Sequence, residues 1–482
     1  MAWSPPRRRT PARRPRHRGV RSLAAVTTAS LAAGALSLLA PVASAAPCDP
    51  WPPAGVGGGS GSLGGSSGGS IGAPGRPATP WHNGDSGYIP VLEGRTTTVE
   101  LLTGPTSPND TVERFGIWGT DLGIMWENGG AGGEDQVHMA LGDTMGDCDE
   151  PGDQWRSNIL FRSSDRTLSD GMRIDDAPME DPETGLAKSI LPRSNMPGET
   201  TVIPTAGVEV GGVQYLRYMS VERWGAPGEW TTNYSALARS ADNGENWQPV
   251  SGTARRGTAP MPLPAELGEE FTRHTDGQMS AFLKHEGFLY EYLTPSGRSG
   301  SARLARVPEA DIEDMGAYEY WTGAGWSREH RDARPVLGAP TVNTTVSELS
   351  VTYSEHLDRF IALYNNRQNN IVMAQAENPW GPWSGEDILV SYSQVPTLYG
   401  AFVHPWSPAV ETDGEDLYYT MSTWDAYNVF LMHTDLTDIA PRTLPNPNAR
   451  MRTTDDSWTR NTPDPAETGE TVLVERRALP GA

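Results

Sequence analysis

Two aspartates are the residues of this sequence best suited to do chemistry. Asp121 and Asp143 lie in the stretch GTDLGIMWENGGAGGEDQVHMALGDTMGD, Gly119 to Asp147. Each borders a short apolar, strand-like segment at a point where a core would favour an apolar residue, and a glycine-rich acidic turn joins the segments. Asp121 opens the first segment and Asp143 closes the second. Antiparallel pairing of the two would bring both carboxyls to one rim of a sheet. Carboxyls so placed suit glycosidic cleavage: one protonates the leaving oxygen, and the other activates water or attacks the anomeric carbon. Mutual repulsion and partial burial would raise one pKa and keep that acid protonated. The opposing reading is a turn-capping aspartate at each end.

The elements that must position this pair recur along the chain. An apolar strand, a polar or glycine turn and a second strand ending in a polar residue repeat as GVEVGGVQYLRYMS, SAFLKHEGFLYEYLT, LSVTYSEHLDRFIALYN and AVETDGEDLYYTMS. Together with the opening stretch they close on Asp143, Ser220, Thr294, Asn365 and Ser422, at spacings of 77, 74, 71 and 57 residues. Five hairpins at such a period predict an all-β fold, a five-bladed β-propeller. A two-layer β-sandwich is the alternative. The first strands open with Asp121, Thr205, Gln278, Glu348 and Ser407. If these strands line the axis, polar groups converge at the mouth of a channel. Glu348 is then expected to touch a ligand or tune an aspartate, and Gln278 to hydrogen-bond a sugar.

Sixteen tryptophans outnumber eight phenylalanines. Indoles stack on the apolar faces of sugars and keep an N–H for hydroxyls, so Trp126, Trp224 and Trp424, beside channel positions, are expected to contact substrate. The segment SADNGENW, Ser240 to Trp247, matches the Asp-box of sialidases and other propellers, where the aspartate accepts turn N–H bonds and glycine takes positive φ. One such box supports the fold and says little about chemistry. DCDEPGD, Asp147 to Asp153, partly resembles a calcium loop but has Pro151 and Asn158 at ligand positions, so a solvated acidic loop is the favoured reading. No Cys/His cluster has zinc spacing, and no metal or cofactor is expected.

Composition bounds the setting. Residues 1–45 hold eight arginines and no acid, then an apolar run and Ala43-Ser44-Ala45, which reads as a secretory signal peptide. Residues 46–86 form a Gly/Ser-rich linker, 87–440 the propeller, and 441–482 a polar, partly disordered tail. With the signal removed, 30 basic residues face 60 acids. That balance excludes nucleic acid as a partner and disfavours anionic lipid; a secreted monomer without stable membrane insertion is expected. Two cysteines, Cys48 and Cys148, are expected to form a disulfide in an oxidising compartment.

Several segments resemble a known family. GTDLGIMW with MALGDTMG, VGGVQYLRYMSVERWGAPGEWTTNYSALARSADNGENW, SGRSGSARLARVPE, ELSVTYSE, NPWGPWSGE and LYGAFVHPWSPAV with LYYTMSTWDAYNVFLM are similar to secreted actinobacterial propellers formerly of unknown function and now recognised as endo-D-arabinofuranases. The resemblance runs in order from about Gly87 to Asp438. It implies a five-bladed fold, a catalytic pair at Asp121 and Asp143, and D-arabinan of mycobacterial-type arabinogalactan and lipoarabinomannan as substrate. Two other readings stay open: a non-catalytic glycan-binding propeller, and a hydrolase of another furanoside polymer such as L-arabinan or fructan.

Overall fold

The computed structural model describes residues 88–147, 150–194, 196–259, 262–268, 272–338, 344–442 and 471–478. The signal, the linker and Cys48 and Cys148 lie outside the described residues, as does most of the tail.

The chain forms a five-bladed β-propeller. Each blade begins with a hairpin whose first strand is innermost: Leu122–Glu127 with Val137–Leu141, Thr201–Val210 with Val213–Trp224, Met279–His285 with Phe288–Thr294, Ser347–Ser354 with Arg359–Asn365, and Leu398–Val403 with Asp416–Thr423. Further strands extend each blade outward, such as Trp230–Ser240 in blade II and Ile371–Ala376 in blade IV. The five innermost strands touch in sequence, blade V meeting blade I, so the ring is closed.

Closure uses a strand that precedes blade I in the chain. Thr96–Leu101 pairs antiparallel with Asn428–Asp435 as the outermost strand of blade V. A second clasp joins Tyr88–Glu93 to Val472–Ala478, so part of the segment read as tail is a paired strand. Backbone ladders between distant parts of the chain leave fewer unpaired edges.

The core is divided into wedges between neighbouring blades. Ile361, Met373, Met421 and Phe430 fill the gap between blades IV and V. Tyr290, Leu304, Val351 and Phe360 fill that between III and IV. Because blades are covered on both faces, middle strands such as Val137–Leu141 and Ile371–Ala376 are buried throughout. Mostly apolar strands, interrupted here only by the buried His138 and Gln375, follow from this two-sided burial, as alternation follows from one-sided burial.

The fifth hairpin differs from the sequence reading. Its first strand is Leu398–Val403, whereas Pro408–Glu411, expected to begin that strand, forms a short helix. Ser407 precedes that helix, with proline at its first position, and its hydroxyl bonds the carbonyls of His404 and Tyr418 away from the channel. Proline at the first helical position has the right φ and no N–H to lose.

Ser240 to Trp247 behaves as its motif predicts. Asp242 accepts the Ser240 hydroxyl at 2.7 Å and the Asn246 N–H at 2.9 Å, Gly244 has φ +80°, and the Trp247 indole donates to the Gly244 carbonyl. The turn also ties blade II to blade I. Asn243 accepts from Asn128 at 2.9 Å and donates to Gln136 at 2.9 Å.

Candidate functional site

The rim where inner strands begin and second strands end carries a cavity on the propeller axis. Asp121 and Asp143 both line it. The blade I hairpin holds them together beyond its formal strands: Gly142 N–H donates to the Asp121 carbonyl at 3.1 Å, Met145 N–H to the Gly119 carbonyl at 2.8 Å, and the Thr120 and Thr144 hydroxyls meet at 2.7 Å. Local backbone strain aims the first carboxyl. Leu122 has φ 73°, where the register of the hairpin shifts, and its N–H is held by the Ser422 hydroxyl at 3.0 Å. A leucine at positive φ costs on the order of 1–2 kcal/mol, and bulges of this kind re-aim side chains beside active sites.

The two carboxyls have different surroundings. Asp121 accepts the Tyr399 hydroxyl on Oδ2 at 3.0 Å, and its Oδ1 is buried with no partner. Burial, then the charges of Asp143 and Glu348, push its pKa well above the ordinary value against the Tyr399 bond and the Arg298 cation. Asp143 accepts the Thr201 hydroxyl at 2.5 Å and a bond from the Trp155 side chain. Burial raises it to about 7, opposed by those two bonds and by Arg193. Asp143 therefore ionises first, and its anion then holds the proton on Asp121 more tightly. This is the unequal pair that acid–base chemistry requires.

Aromatic side chains wall the cavity. Trp424 stacks on Tyr399 with centroids 4.2 Å apart and planes at 17°, and Trp224 meets Trp230 edge-on at 5.7 Å. The Trp230 indole N–H is buried without a partner, a donor available to a ligand hydroxyl. Arg298 lies over the faces of Tyr399 and Trp424 and binds Glu348 through Nε at 2.9 Å and a terminal nitrogen at 2.7 Å. Glu348 also accepts the Ser347 hydroxyl. Among the described residues no group of three or more His, Cys, Asp or Glu side chains could hold a metal ion.

The structure thus brings together Asp121, Asp143, Glu348, Trp224 and Trp424. It places Gln278 and Trp126 elsewhere. Gln278 is buried behind the cavity wall, accepting from Thr232 and donating to the carbonyls of Arg255 and His274, and the next residue, Met279, faces the cavity instead, while Ser280 turns its hydroxyl away to Glu291. A one-residue offset in a strand reverses the side-chain face. Trp126 sits five residues beyond Asp121 at the other end of the same strand, which at ~3.3 Å per residue puts it on the opposite side of the disc. There it lines a second cavity, donates to Gln214 at 2.8 Å and packs on Trp247. The side chains of Ile124, Thr205, Leu349 and Phe402 border both cavities and form a collar between them.

Sequence reasoning singled out neither Tyr399, Arg298 nor Thr201. Tyr399 was hidden by the misplaced fifth hairpin. Arg298 lies in a loop between strands, where no periodicity marks it. Thr201 opens the inner strand of blade II four residues before the expected channel position.

Two solved structures are similar to the chain at low identity. Zg3597, a family 117 glycoside hydrolase of the marine bacterium Zobellia galactanivorans, is 13% identical, with 75% of this chain and 97% of that one covered and a TM-score of 0.40. The catalytic domain of the Coprinopsis cinerea GH62 alpha-L-arabinofuranosidase is 10% identical, with coverages of 71% and 97% and a TM-score of 0.40. Two curated fungal proteins are similar in sequence. Notoamide biosynthesis cluster protein J of Aspergillus sp. (strain MF297-2) is 26% identical over 331 residues, covering 64% of this chain and 81% of its own length. Notoamide biosynthesis cluster protein J' of Aspergillus versicolor is 25% identical over 362 residues, covering 68% and 91%. Residues 106–433, spanning all five blade hairpins and both aspartates, match the domain of unknown function DUF4185, and the chain belongs to that family.

Proposed function

We propose that this protein is a secreted glycoside hydrolase that cuts α-D-arabinofuranosyl linkages within the D-arabinan of mycobacterial-type arabinogalactan and lipoarabinomannan. The observation that carries the hydrolytic reading is the buried pair Asp121 and Asp143, on one rim of one hairpin, inside an aromatic-walled cavity, with unequal proton affinities. The choice of D-arabinan rests on the resemblance of the sequence segments, and secretion on the character of residues 1–45.

In this reading Asp121 is the general acid. Its unpartnered Oδ1 delivers a proton to the leaving glycosidic oxygen, while Tyr399 holds the other oxygen. Asp143, ionised first and fixed by Thr201 and Trp155, works at the anomeric carbon as base to water or as nucleophile. The Tyr399–Trp424 and Trp224–Trp230 pairs offer apolar faces to the sugar rings on either side. Proton NMR of the first-formed anomer separates the two roles of Asp143.

The deciding experiment is product analysis after incubation with purified mycobacterial arabinogalactan. Release of arabino-oligosaccharides with new reducing ends is expected. Binding without release would favour a glycan-binding propeller, and release only from L-arabinan or fructan would move the substrate to another furanoside.

Two further outcomes follow from the geometry. The pH profile of kcat/KM should be bell-shaped with its acidic limb near about 7, because Asp143 must lose its proton below the value at which Asp121 loses its own. An acidic limb near the ordinary carboxylate value would remove Asp143 from this role. Gly142→Ala should lower turnover by about 10²-fold with the circular dichroism spectrum unchanged, since a Cβ there would lie 2.3 Å from Asp121 Oδ1 and displace the acid.

A further inference from the structure

Arg298 reaches the cavity from an unusual support. It stands in the loop 295–300 of blade III, which lies flat on the loop 225–229 of blade II. The Arg298 N–H donates to the Gly228 carbonyl at 2.7 Å. Gly228 and Gly297 both have positive φ, at +79° and +81°. A Cβ on Gly297 would come within 3.0 Å of the Gly228 carbonyl, whereas one on Gly228 would only touch the Arg298 side chain at 3.4 Å, so there it is the positive φ that favours glycine. The two glycines thus let the loops close on each other and send the guanidinium inward. There it meets blade IV at Glu348 and blade V at Tyr399 and Trp424.

The pairing is built rather than incidental. The Arg298 and Glu348 side chains are only 13% and 8% exposed. Glu348 itself is held at φ 45°, in a stretch where the blade IV hairpin shifts register. A glutamate with positive φ is strained, and two charge-assisted bonds from the guanidinium to Glu348 Oε1, with Ser347 on Oε2, fix both partners. The same guanidinium covers the ring of Tyr399, whose hydroxyl is the bonded neighbour of Asp121.

We propose that Arg298 is a positioning residue for the cleavage chemistry, fixing the Glu348 carboxylate and the Tyr399 ring and through them the charge around Asp121 and its direction. The inference rests on the glycosidase reading for its catalytic meaning, while its electrostatic content stands without it. The titratable and charged groups facing Asp121 are Asp143 from blade I, Arg298 from the blade III loop, Glu348 from blade IV, and Tyr399 and Tyr427 from blade V. Within that set Arg298 and Glu348 cancel. Removing either leaves the other bare, with opposite consequences for Asp121.

The test is the cycle Arg298→Gln, Glu348→Gln and the double variant, read by carbon NMR titration of labelled aspartate carboxyls and by the alkaline limb of kcat/KM. Arg298→Gln exposes Asp121 to the Glu348 anion and should move its titration up by about one pH unit; Glu348→Gln exposes it to the cation and should move it down by a similar amount. The double variant should return close to the wild-type position, although turnover stays low because Tyr399 has lost its cover. Arg298→Lys keeps the charge without the fork and should leave the titration near wild type while lowering kcat, and it carries the test with Glu348→Gln if Arg298→Gln does not fold. Shifts of both single variants in one direction, or no shift in any, would overturn the proposal. Wild-type protein that releases no sugar from any furanoside would sink the glycosidase reading alone, since the NMR titration needs no turnover.

Discussion

Asp121→Asn and Asp143→Asn should each lower the release of arabino-oligosaccharides by at least 10²–10⁴-fold, the usual worth of general acid–base assistance, and should at the same time raise the unfolding midpoint at pH 7. The loss should fall on kcat with little change in KM, because the missing interaction belongs to the transition state. The gain in stability has its own cause. Both carboxyls are buried and their pKa values raised, Asp143 to about 7. A carboxyl with a raised folded value contributes stability that is complete below the unfolded value, about 4, and is lost as pH rises through the folded value. At pH 7 the folded protein therefore holds protons that the unfolded chain releases. An asparagine carries no such penalty, and the gain for Asp143→Asn should lie between about 1 and 4 kcal/mol. The stability difference from wild type should shrink as pH falls towards 4. Thermal unfolding at pH 4 and pH 7, with reducing-end assays, measures both halves. Near-native release by either folded variant would remove it from the chemistry, and a midpoint lowered at pH 7 would contradict the burial argument.

Glu291→Gln should be the most destabilising conservative change in the propeller. Glu291 in blade III accepts both terminal nitrogens of Arg255 at 2.6 and 2.7 Å, Arg217 Nε stands 3.1 Å away, and the Ser280 hydroxyl donates at 2.6 Å. All three charged side chains are fully buried. Arg217 and Arg255 belong to blade II, so the cluster locks two blades together. Burial pushes the Glu291 carboxyl up, but the two arginines outweigh it and hold the pKa at about 2. Neutralising it leaves two guanidiniums buried and uncompensated, a change worth roughly 3–5 kcal/mol in comparable buried pairs. The sign with pH is opposite to that of the aspartate pair. A depressed carboxylate stabilises fully above its unfolded value and loses that contribution as pH falls through about 2. The gap between wild type and Glu291→Gln should therefore be constant above about pH 5 and narrow between there and pH 2. Urea unfolding across that range measures it, and a gap under about 1 kcal/mol at pH 7 would show that the two blades do not depend on this cluster.

What the sequence determined on its own was what is local. The five hairpins are contacts between neighbours in the chain, marked by short apolar runs and glycine or polar turns, so their number and period could be read directly. Asp121 and Asp143 share one hairpin, and their placement at one rim needed only antiparallel pairing. The turn from Ser240 to Trp247 was legible for the same reason. The tertiary structure decided everything that depends on register or on distant segments. Four of the five inner strands shift register near the cavity, at Leu122, Pro204, Ser347 and Tyr399, and such a shift changes which side chains face the axis. In blade III, whose hairpin keeps its register, the expectation was one residue off, so Met279 faces the cavity where Gln278 was expected, and Trp126, further along its strand, serves the far side of the disc. The closing strand Thr96–Leu101 reaches blade V across more than 300 residues, which no local pattern signals. Arg298 and Tyr399 become neighbours of Asp121 only when blades III, V and I converge on the axis. Their side chains carry no spacing signature, because ring closure alone brings them together.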